Sequence, residues 1–67
     1  MLLFDDPYIQ RIYENCKKNM KNTPEDWQRV ADFFMEQSRK HPEKTAALLE
    51  CYDRLAEDVE RRDASQQ

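Results

Sequence analysis

Apolar side chains recur at helical spacing in three separate stretches of this chain. In the first, Ile9, Ile12, Tyr13, Cys16 and Met20 share one face. In the second, Trp27, Val30, Ala31 and Phe34 do so, with Phe33 and Met35 flanking them on opposite sides. In the third, Leu48, Leu49, Tyr52, Leu55, Ala56 and Val59 form a stripe, and Glu50, Asp53, Arg54, Glu57 and Arg61 cover the remainder. The pattern predicts an all-α fold of three helices, over about 7–21, 24–40 and 42–62.

The three prolines punctuate the same division. Pro7, Pro24 and Pro42 follow Asp6, Thr23 and His41. Proline suits the first helical position, where its missing N–H has no partner to lose. Asp6 and Thr23 are side chains that accept from the unsatisfied amides of a first turn. Thr23-Pro24-Glu25-Asp26 resembles a capping box with Asp in place of Glu. The chain has no glycine, which argues against tight hairpin turns that need positive φ.

The wide apolar arc of the second helix predicts a central position for it, with the other two on either side. The third helix is the longest, at ~30 Å, so its distal half is expected to outrun its cover. Tyr52, Leu55 and Val59 continue a four-three-four spacing from Leu48, the seam of a short coiled coil. A homodimer through Tyr52, Leu55 and Val59 follows as an expectation; cover by the first helix or the N-terminal segment is the alternative.

Length limits what else is possible. Sixty-seven residues make one domain, 1–67, with an apolar N-terminal segment 1–5 and a polar, fraying tail 63–67. A chain this short buries only ~60% of its unfolded surface. Leu, Ile, Val and Phe number 12 of 67, a core-poor balance near the ~20% that marks disorder. Trp27, three Tyr and three Met add bulk, and the net charge is only −3. Order is therefore expected, with help from an oligomer or a partner.

Candidate chemistry is sparse. Cys16 and Cys51 are the only cysteines and His41 the only histidine. Scattered over 36 positions, the three do not supply the four close ligands of a structural zinc site. Both cysteines lie on or beside apolar stripes, where a thiol acts as a small hydrophobe. The carboxylates are spread over solvated faces with no cleft to hold them, so no enzyme, metal or cofactor is expected. No stretch has the length of a membrane span. Leu2, Leu3 and Phe4 lack the basic leader of a signal peptide, which leaves a cytoplasmic location as the default.

Two kinds of macromolecular binding remain. Arg11, Lys17, Lys18 and Lys21 gather on the first helix, but residues 1–23 carry four basic and three acidic side chains, a net of +1. Residues 42–67 carry four and seven, a net of −3. Nucleic acid is therefore the weaker alternative. The favoured expectation is a non-enzymatic interaction module, a small regulator, inhibitor or adaptor that binds a larger protein. Leu2, Leu3, Phe4, Tyr8 and Phe33 are its candidate contacts, because large apolar and aromatic side chains away from stripe centres are favoured anchors. Phe4 has a second role open to it, as a staple on Ile9 if Asp5 caps the first helix.

Overall fold

A computed structural model describes residues 4–65 as three α-helices and a single 3-10 turn, with no strand among them. Helix α1 spans Pro7–Asn19, α2 spans Pro24–Lys40, and α3 spans Thr45–Ser65 behind a 3-10 turn at Pro42–Lys44. The prolines do open their segments, each at the first turn. Asp6 caps α1, its carboxylate accepting from the Tyr8 amide at 2.9 Å. Thr23 caps α2 by accepting from the Asp26 amide at 3.3 Å. Asp26 reaches back beyond the cap to the Lys21 amide at 2.7 Å, so the box closes on the linker rather than on Thr23.

The helix ends differ slightly from expectation. Helix α1 stops at Asn19 because Met20 turns to extended backbone, its amide still bonded to the Cys16 carbonyl at 3.0 Å. Helix α3 runs on to Ser65, three residues past the expected end, so Asp63 to Ser65 belong to the helix. Contacts between side chains give the direction of each helix. Cys51 lies against the Ile9 carbonyl, Tyr13 bonds Asp58, and Arg62 reaches the carbonyls of Lys17 and Met20. Residue numbers rise together, so α1 and α3 run parallel. Helix α2 returns between them in sequence: Tyr8 bonds Gln37, and Ser38 meets Thr45 at 2.7 Å.

Two expectations about packing are corrected here. The shared member of the bundle is α3, not α2. Helix α1 buries Ile9, Gln10, Ile12 and Tyr13, and α3 buries Leu48, Cys51, Leu55, Asp58 and Val59, whereas α2 buries only Val30 and Phe34. The broad apolar arc of α2 is therefore not matched by broad burial. The second correction concerns the seam. Leu55 and Val59 are completely buried within one chain, because the parallel register lays α1 along the distal half of α3. They are not available for a self-contact, and of the proposed dimer residues only Tyr52 reaches the surface. No helix among the described residues is long and apolar enough to cross a membrane.

Candidate functional site

The side of the α2–α3 pair away from α1 is open. Consecutive helical residues point about 100° apart, so an apolar doublet cannot place both members in one core. Phe34 and Leu48 turn inward, at 7% and 2% exposure, and their neighbours Met35 and Leu49 turn outward, at 64% and 63%. Between those two exposed side chains lies a groove of about 700 Å³. Phe34, Leu48 and Tyr52 form its floor, and Pro42 and Thr45 lie toward the end where α2 passes into α3.

Aromatic contacts stiffen the floor. The Tyr52 ring meets Phe34 and Trp27 edge-on, with centroids 5.5 and 5.6 Å apart. Such pairs prefer this tilted geometry. Two of the hydroxyl side chains in the lining, Ser38 and Thr45, are bonded to each other. Arg39 stands on the α2 rim. The lining holds no Cys, His, Asp or Glu, so its chemistry is burial of apolar surface. A site for a small polar ligand would need convergent polar groups on the floor.

The expected contact residues do not form one surface. The Phe4 ring packs on Tyr13 at 5.6 Å, and its amide bonds the Gln10 side-chain oxygen at 3.1 Å. With Asp6 as the cap, Phe4 is not the residue before the cap, the position from which a staple on Ile9 would be made. The Tyr8 hydroxyl donates to Gln37, its ring meets His41 at 5.4 Å, and Lys44 lies over it at 5.5 Å. Phe4 and Tyr8 are thus half-buried and engaged inside the fold. Phe33 is 42% exposed, but it lies near Cys16 and Met20, apart from the groove. Leu2 and Leu3 lie outside the described residues.

Other candidate chemistry is placed away from the groove. Cys51 is completely buried, and burial pushes its thiol up to about 12. Cys16 is half-buried and also raised by burial. Among the described residues no cluster of three metal-ligating side chains occurs. In the basic cluster, Lys17 sits over the Tyr13 ring at 5.6 Å, while Arg11, Lys18 and Lys21 are exposed.

Met35 and Leu49 were not among the expected contacts. Their signal was the run Phe33-Phe34-Met35 and the pair Leu48-Leu49, each too wide for one buried face. No protein family, no curated protein and no solved structure matches this chain.

Proposed function

We propose that this protein is a docking module that regulates a larger protein by seating part of it in the α2–α3 groove. The observation that carries this reading is the pair Met35 and Leu49, two large apolar side chains exposed on either side of an apolar groove. A groove with an apolar floor and apolar side chains exposed on both sides is the form of surface on which an amphipathic segment docks. The reading keeps the non-enzymatic interaction class expected from sequence and moves the contact surface. Self-association through the α3 seam is not part of it, since Leu55 and Val59 lie inside one chain.

Site-specific photo-crosslinking in native cells tests the proposal. A photoreactive side chain is placed in turn at Met35, Leu49, Arg11 and Asn15; the last two are exposed on α1. One discrete adduct from Met35 and Leu49, and not from Arg11 or Asn15, is the expected result. Adducts of equal yield from all four positions, or from none, would contradict it.

A further inference from the structure

The exposed surface beside the α3 side of the groove is acidic. Helix α3 turns its basic side chains away from the groove: Arg54 and Arg61 pair with Asp58, at 3.2 and 3.7 Å, and Arg62 bonds carbonyls of α1. Its acids other than Asp58 and Asp63 are left on the other side. Asp53 and Glu60 follow Leu49 at helical spacing of four and eleven residues, with Glu50 and Glu57 farther round the same side. All four are exposed, and none forms an ion pair or hydrogen bond among the described residues. The α2 side is mixed: Asp32 and Glu36 beside Met35 are engaged by Gln28 and Lys40, and Arg39 is without an ion pair among the described residues.

Building on the docking reading above, we infer that the groove takes an amphipathic helix with one basic flank. Apolar side chains at i, i+3 or i+4, and i+7 of that helix fill the space between Met35 and Leu49. Lysine or arginine on the flank beside α3 meets Asp53 and Glu60, and an acid on the other flank meets Arg39. A second copy of this chain fits poorly. It brings four more carboxylates beside its own groove and a single unpaired Arg39 to face them, and opposed like charges suppress such pairing. An anionic membrane surface is disfavoured for the same reason.

Two synthetic helical peptides of about 18 residues, long enough for five turns, separate the outcomes. They share one leucine stripe; one carries lysine beside it and the other glutamate. Each is titrated into the full ¹⁵N-labelled chain and followed by amide shifts. The lysine peptide is expected to shift amides around Met35, Leu49 and Tyr52, to weaken as salt rises, and to bind at least roughly tenfold tighter than the glutamate peptide. In D53K/E60K, two exposed changes checked for folding by circular dichroism, the preference reverses.

Equal binding of both peptides in the groove would overturn the charge inference and leave the docking reading standing. So would shifts spread over the acidic surface and unaltered in D53K/E60K. Failure of both peptides to shift groove amides would overturn both. A free chain that sediments as a dimer, with groove amides that move on dilution, would make a second copy the occupant.

Discussion

The Tyr13 hydroxyl donates a hydrogen bond to the Asp58 carboxylate across the α1–α3 interface, and both side chains are buried. This pair fixes the rotation of α3. Asp58 must face α1, which brings Leu55 and Val59 under cover and leaves Leu49 on the far side. Arg54 and Arg61 complete the shell around the carboxylate.

Removing the hydroxyl should therefore be costly. Tyr13→Phe keeps the ring against Phe4 but deletes a bond to a charged acceptor, worth about 1.5–3 kcal/mol. Urea unfolding followed by circular dichroism is expected to show a loss in that range. An unchanged midpoint would mean that the pair does not hold the helices in register.

The same groups shape stability against pH. The hydrogen bond from Tyr13 is the main influence holding Asp58 below the usual carboxylate range, and Lys44 does the same for Asp6. A depressed carboxylate stabilises the fold above its unfolded value of ~3.9, and that contribution is lost as pH falls through the folded value. Burial, then the bond to Asp58, raises Tyr13 to about 12, and burial raises Cys51 to about 12. Raised groups stabilise fully below their unfolded values, ~10 and ~8.5, and lose that contribution as pH climbs toward the folded ones. Urea midpoints should hold a plateau between about pH 4 and about pH 8.5 and fall on both sides. In Cys51→Ala the alkaline fall should be shallower below pH ~10, with Cys16, also raised by burial, the one thiol left to contribute there. An alkaline limb identical in both proteins would contradict the assignment.

The two thiols should react differently. Cys51 is sealed and held protonated, whereas Cys16 is half-buried. Because the thiolate is the reactive form, a thiol-specific disulfide reagent at neutral pH should modify Cys16 in the folded chain and Cys51 only after urea is added. Two equivalents consumed at one rate by the native protein would show that α1 opens readily from α3.

Arg62 should matter beyond its charge. Its guanidinium donates to the Lys17 carbonyl at 2.7 Å and to the Met20 carbonyl at 3.3 Å, so a side chain of α3 satisfies the open end of α1. Arg62→Gln is expected to cost about 1 kcal/mol. Hydrogen exchange at the Met20 amide, in the last turn bond to Cys16, should quicken with it. Exchange unchanged there would place the stability of that turn elsewhere.

Much of the fold was legible in the sequence, and the reason is local. Asp6, Thr23 and the three prolines set the helix starts through contacts a few residues away, which is the range over which sequence order and spatial order agree. The apolar stripe of α3 was legible too, but not its cover. Leu55 and Val59 read the same whether α1 or a second chain buries them. Counting the apolar residues of α2 likewise overstated its burial, since Phe33 and Met35 stay outside. Asp58 carried a signal that a charged residue hides. It falls seven residues after Cys51 and three after Leu55, on the buried row itself. The groove depends on two faces meeting across α2 and α3, so only tertiary packing brings Met35 and Leu49 to its two sides.

The division between folding residues and docking residues is the center of this account, and paired urea unfolding of Leu49→Asp and Leu55→Ala tests it most directly. Leu55 is completely buried and Leu49 is 63% exposed. The account predicts a loss of about 2–5 kcal/mol for Leu55→Ala and a change within about 0.5 kcal/mol for Leu49→Asp. A Leu49→Asp variant as destabilised as Leu55→Ala would mean that the groove is closed in solution and belongs to the core, which would contradict the docking surface outright.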